Sequence, residues 1–314
     1  DSDEQLGLAD FTASTLMDGT AHRSQMDIYG ALEAAGASLG FDASTHSAGF
    51  GGRALAEDLD LLLDLAADAL RHPVFPPDQI ERQRAEILTG LALRAENTGA
   101  VASLAFDEIV YAGHPYRRPE EGWPETVRAL TRDNLLTFHA RHYGSRGLVL
   151  CIVGGIEPDR AVEKAARALG DWQNPAQPDP PPLPPLTPLP ETITRRATIP
   201  GKFQADLIIG VTGPPRATPD FLAASLGNNI LGQFGMGGRI GEIVREQAGL
   251  AYSAHSSLSG GLGPGAWYVS AGVAPENVEE AAALIQGELA RFVEESVTEE
   301  ELADSKANYW GRLP

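Results

Sequence analysis

The chain has 314 residues, of which 43% are hydrophobic and 21% charged, and its formal net charge is −19. That length supports two domains with sizeable cores, and the composition excludes a disordered polymer. No apolar run approaches the ~20 residues of a membrane span, and an acidic surface excludes nucleic acid, whose phosphates call for clustered Lys and Arg, while suiting cationic peptides.

In chain order, GLADFTASTLMDGT at residues 7 to 20 is a helix-like run closed by Gly19-Thr20 and lacks histidine. RSQMDIYGALEAAGA and EDLDLLLDLAADALRH repeat apolar residues at helical spacing. Between them ASLGFDASTHSAGFG alternates small, β-branched and aromatic residues as a strand pair does. FHARHYG reads as a helix end turning into a loop, and GLVLCIVGG as a buried strand whose Cys151 is a core thiol rather than a nucleophile. With one cysteine there is no disulfide framework.

From Gln173 to Pro190 nine prolines forbid both helix and ladder pairing, which predicts an extended spacer. It separates a first domain at 1–172 from a second at 191–314. In the second, TIPGKFQADLIIGV predicts a strand and GGRIGEIVREQAGLA a helix ended at Gly249. AYSAHSSL and GAWYVSAGV predict strands, and PENVEEAAALIQGELARFVEE a helix opened by Pro275.

The order helix, strand pair, helix therefore recurs. Gly36-Ala37-Ser38-Leu39 falls on Gly249-Leu250-Ala251-Tyr252 at an offset of 213, and FPPDQIERQR on VTEEELADSK at 222. No strand precedes the first unit as TIPGKFQADLIIGV precedes the second, and the second stops at Pro314, so both ends are expected to cut through a repeat unit. DSDEQLGLAD has neither a basic n-region nor an apolar h-region. The expected location is the cytoplasm, or the periplasm if a signal has been removed.

Of the seven histidines, His22, His46, His72, His114, His139, His142 and His255, only the pair in HARH lies within one helical turn, and no carboxylate follows at a matching offset. GQFGMGGR places Gly232, Gly235, Gly237 and Gly238 between two helices but satisfies neither nucleotide-binding pattern, since Ile240 stands where a dinucleotide fingerprint needs glycine. It is either a plain turn or a mobile loop with exposed backbone.

GLADFTASTLMDGTAHRS, GASLGFDAST, AGHPYRRPEEG, LTRDNLLTFHARHYGSRGLVLCIVGGIEPD and ILGQFGMGGRIGEIVREQAGLAYS, in that order, resemble the pitrilysin/insulinase family of zinc metallopeptidases, in the bacterial branch related to mitochondrial processing peptidase. The resemblance covers nearly the whole chain. It implies an α+β fold of two similar domains, each a mainly antiparallel sheet backed by helices, the second truncated here.

Catalytic members carry H-x-x-E-H on the first helix, two histidines for Zn²⁺ and a glutamate as general base, with a later glutamate completing the site. The resemblance puts Asp10, Ala13 and Ser14 at those first positions and Gly90 at about the last. Alanine and glycine cannot ligate, and the expectation is no metal in this chain. Glu81 and Glu86 read as solvated helix charges.

Arg245 and Tyr252 match the family's arginine-tyrosine pair. Spacing alone suggests a helix-terminal arginine answering the macrodipole and a strand tyrosine packing its ring. The resemblance implies instead an oxyanion donor and a clamp on substrate, and for the four glycines a peptide-recognition loop. The expectation is a non-catalytic subunit that donates this half-site, binds a peptide or unfolded polypeptide, and relies on zinc in a homologous catalytic partner. The alternative is a structural or peptide-binding scaffold. An independent peptidase has no constellation to support it.

Overall fold

The structure is a computed structural model, and it describes residues 2–233 and 238–312. The helices and strands are α1 (Leu8–Ser14), α2 (Gln25–Ala34), β1 (Ser38–Ala43), β2 (Ala48–Arg53), α3 (Leu59–Arg71), α4 (Pro77–Ala95), α5 (Thr98–Val110), α6 (Pro124–Ala129), α7 (Arg132–His142) and α8 (Pro158–Leu169). There follow β3 (Ala205–Thr212), α9 (Asp220–Asn228), α10 (Arg239–Gly241), β4 (Ala251–Gly260), β5 (Pro264–Val273), α11 (Val278–Glu294) and α12 (Glu299–Gly311). The chain forms two compact units, one of residues 1–92 and 118–182, the other of 93–117 and 183–314. The division after residue 182 lies inside the proline-rich run, and segment 93–117, in the first domain by sequence, groups with the second unit.

In the first unit a reciprocal capping box between Ser24 and Asp27 starts α2. Gly36, in the left-handed region at φ 58°, turns the chain into β1. β1 and β2 pair antiparallel from Ser38 opposite Arg53 to Ala43 opposite Ala48. Phe11, Leu16, Phe75, Leu130 and Leu135 form the main core. Met17, Ile28, Leu32 and Leu65 join α2 to α3 in a second cluster.

The segment GLVLCIVGG corrects one expectation: it forms no strand, and Cys151 is exposed. Leu150 packs against the core, but Val149 and Val153 are 89% and 92% exposed. A continuous apolar run with β-branched residues makes a sequence strand-like, whereas a strand requires a partner for its backbone groups, and none among the described residues pairs with this one.

In the second unit the sheet order is β3-β5-β4, antiparallel throughout. One face is covered by α11 and the 239–247 helix, where Ile240, Val244, Ala281 and Ile285 meet Val269 and Ala271. α5 joins the unit through Val110 and Tyr111 against Ala266, and through Phe106, whose ring lies 5.8 Å from that of Tyr268.

The repeat is visible in the backbone. Gly249 takes φ 66°, as Gly36 takes 58°, each two residues before a strand. The helices α4 and α12 begin at 77 and 299, preserving the 222-residue offset. Each unit is thus α+β, with antiparallel strands and covering helices. Among the described residues no helix is long and apolar enough to cross a membrane.

Candidate functional site

Arg245 and Tyr252 owe their placement to two local irregularities. Residues Glu242–Gln247 wind as a π-helical turn, with Arg245 inside it; such widened turns recur at functional sites. After Gly249 the chain enters β4, where Ala251 faces Val273 but Ser253 already faces Gly272. Tyr252 is therefore the extra residue of a β-bulge.

The bulge decides which way the ring points. Side chains alternate along a strand, so without the insertion Tyr252 would share the face of Ala254 and Ser256, which are 2% and 1% exposed. Instead Tyr252 is 90% exposed. The guanidinium of Arg245 lies 5.8 Å from its ring centroid, an attractive cation-π distance, and is 3.5 Å from the carboxylate of Glu246. The Tyr252 hydroxyl has no hydrogen-bond partner among the described residues. A free phenol donor beside an accessible guanidinium is chemistry for holding a carbonyl oxygen and stabilising charge that develops on it.

Of the four glycines, Gly235 and Gly237 lie outside the described residues. Gly232 and Gly238 are buried at the base of their segment. A Cβ on Gly238 would come within 2.4 Å of the Gly232 Cα, so this approach of backbone to backbone admits only glycine at 238. Next to it, Arg239 donates to both carboxylate oxygens of Glu301, at 2.6 and 2.8 Å, and holds that carboxyl down at about 2. The residues on either side of 234–237 are thus anchored.

The first unit presents a different picture at the positions matched to a zinc site. Asp10 lies in the first turn of α1; burial, with Glu121 and Glu120 adding like charge, pushes its carboxyl up to about 6. Ala13 is buried, and the Ser14 hydroxyl donates to the Phe11 carbonyl at 3.1 Å. Gly90 is exposed on α4, with no atom within 4 Å of where a Cβ would stand. One carboxylate and one occupied hydroxyl do not make a zinc donor set, and Asp10 belongs to no group of three ligating side chains among the described residues. Glu81 and Glu86 pair along their own helix with Arg84 and Arg82.

The HARH histidines do not converge either. His139 donates from Nε2 to the Leu70 carbonyl at 2.8 Å, and burial pulls its pKa down. The ring of His142 lies 4.6 Å from that of Phe138. The cluster that sequence reasoning missed is His22, Asp68 and His72, drawn from two segments some 50 residues apart. A screen for histidines within one turn passes over it; the i,i+4 pair Asp68 and His72 at the end of a strongly periodic helix was the available signal.

Comparison with known proteins agrees with this architecture. Residues 1–120 match the model of the insulinase family, peptidase family M16, and residues 129–309 match that of the peptidase M16 inactive domain. An uncharacterized zinc protease of Streptomyces coelicolor is 28% identical over 304 residues, covering 94% of this chain and 65% of that protein, so the chain spans just under two thirds of that relative's length. One from Mycobacterium leprae is 28% identical, covering 98% of this chain and 69% of its own. Mitochondrial cytochrome b-c1 complex subunit 1 of Mus musculus is 27% identical over 239 residues, which are 74% of this chain and 48% of that one. Among solved structures, the peptidase M16 inactive domain from Pseudomonas fluorescens superposes with a TM-score of 0.87 at 25% identity, over 99% of this chain and 75% of its own. Two family models in tandem cover nearly all of a chain that folds as two α+β units, and the chain accordingly belongs to peptidase family M16.

Proposed function

We propose that this protein is a non-catalytic subunit of a heteromeric zinc peptidase, in which hydrolysis takes place at the zinc of a homologous partner. Its own contribution is Arg245 and Tyr252, with the segment containing Gly232, Gly235, Gly237 and Gly238 helping to bind a peptide or unfolded polypeptide. The observation that carries this reading is the bulge at Tyr252, which turns the ring out of the sheet face and leaves its hydroxyl unpartnered beside Arg245. A tyrosine kept only for packing gains nothing from 90% exposure.

The role of each residue follows from its chemistry. The Tyr252 phenol donates to the carbonyl oxygen as it gains negative charge. Arg245, with five donors in a fixed fork, holds a neighbouring carbonyl or carboxylate of the substrate. Asp10, Ala13, Ser14 and Gly90 provide no zinc site, so the catalytic zinc is the partner's.

A second reading is a structural subunit without a part in hydrolysis, favoured by the likeness to cytochrome b-c1 complex subunit 1. Purification of the full-length protein from its own cells separates the two. A co-purifying homologue of similar size that carries H-x-x-E-H and zinc is the expected result; isolation alone, or with a partner lacking that motif, supports the scaffold.

A further inference from the structure

His22 and His72 both donate from Nδ1 to the same oxygen of Asp68, Oδ1, at 2.7 and 3.2 Å. The three ligand atoms lie within 4.8 Å of one another. The rings meet edge to face with centroids 4.8 Å apart. Two imidazole donors on one carboxylate oxygen are the metal-free counterpart of a metal held by two imidazoles and a carboxylate.

The carboxylate is oriented from behind. Asp68 is 6% exposed, and its other oxygen accepts from the Thr20 hydroxyl at 2.7 Å and from Arg23 at 2.6 Å. Bonds of this kind fix a ligating carboxylate and are worth 10- to 100-fold in metal affinity in sites of this type, an order-of-magnitude scale. Arg23 in turn pairs with Asp64 at 2.6 Å, so the local charge stays favourable to a cation. The two histidine-bearing segments are tied through the backbone: Ala21 N–H donates to the His72 carbonyl at 2.9 Å and Val74 N–H to that of Gly19 at 3.1 Å. Asp68 and His72 are one turn apart at the end of α3 and share a face.

We propose that His22, Asp68 and His72 bind one divalent transition-metal ion through the two Nδ1 atoms and Oδ1. Tetrahedral zinc with bonds of about 2.0–2.2 Å sets its ligand atoms roughly 3.3–3.5 Å apart, so both Nδ1 atoms must draw back from Oδ1, from 2.7 and 3.2 Å, within a cluster already confined to 4.8 Å. The two imidazoles that would shift are 59% and 43% exposed and have room to turn. Imidazole with carboxylate selects ions such as Zn²⁺ or Co²⁺ over Mg²⁺ and Ca²⁺. Three protein ligands leave the remaining position to water. On binding, each imidazole gives up its hydrogen bond to Asp68, its proton moving to Nε2. The site is separate from Asp10, Ala13, Ser14 and Gly90, and does not depend on the peptidase reading.

Equilibrium dialysis of the full-length chain against ZnCl₂ with elemental analysis, and a parallel titration with Co²⁺ followed by its visible absorption, test the proposal. One zinc per chain is expected. His22→Ala and His72→Ala should each weaken binding at least about tenfold, equal to ~1.4 kcal/mol, with unchanged far-ultraviolet circular dichroism. His142→Ala should leave binding intact. Failure to take up zinc, or uptake indifferent to both substitutions, would reduce the cluster to a hydrogen-bonding hub and overturn the proposal. Loss of zinc with Asp10→Ala, but not with His72→Ala, would overturn it by placing the ion at the family position, and that outcome would contradict the peptidase-subunit reading as well.

Discussion

Asp10 holds a charge its surroundings disfavour. Burial, then Glu121 and Glu120, push its carboxyl up to about 6. A folded-state value above the unfolded one means that its contribution to stability is full below the ordinary carboxylate range and is lost as pH rises through about 6. Asp10→Asn should therefore raise the urea midpoint at pH 7 by an amount equivalent to about 1–2 kcal/mol, partial exposure screening the full shift. The gain should vanish near pH 4, and equal midpoints at pH 7 would refute the assigned burial. At this scale the sequence revealed identity but not direction. Arg245 and Tyr252 are legible as a pair seven residues apart, yet the outward turn of Tyr252 depends on how Ala251 and Ser253 register with Val273 and Gly272, some twenty residues on. His22 and His72 are likewise invisible as neighbours until the backbone bonds between their segments form.

The segment between α9 and β4 is held at its base by two devices with separate signatures. Gly238 lies against Gly232, and Gly238→Ala should cost about 1–3 kcal/mol in denaturant unfolding because backbone must move to admit the methyl group. The Arg239–Glu301 fork holds the Glu301 carboxyl at about 2, below its ordinary value. That stabilisation is fully present above the ordinary carboxylate range and is lost as pH falls toward about 2. Glu301→Gln should cost about 1–3 kcal/mol at pH 7, and a difference that persisted undiminished at pH 2.5 would contradict the ion pair. Element types were readable wherever the signal was local: the helical spacing of RSQMDIYGALEAAGA, which forms α2, and Gly249, which ends its helix at φ 66°. GLVLCIVGG failed because strand formation there rests on a pairing partner, which composition does not encode.

For the whole molecule, the repeat offset of 213 residues between the strand-opening glycines 36 and 249 was readable from sequence and persists in the fold. The grouping of residues 93–117 with the second unit was not, because it rests on packing of Val110 and Tyr111 against Ala266 from a distant strand. In the function proposed for this protein, one chain of a peptidase complex supplies transition-state stabilisation without a metal of its own at the family position. The most direct test of that role is the kcat of a complex reconstituted from the full-length protein and its zinc-bearing partner on a fluorogenic peptide, comparing wild type with Tyr252→Phe and following assembly by gel filtration. In the proposed role the hydroxyl acts on the developing oxyanion, so the variant should assemble normally and lose roughly 10²- to 10³-fold in kcat. A Tyr252→Phe complex that assembles and cleaves at the wild-type rate would contradict the account and leave the protein a scaffold.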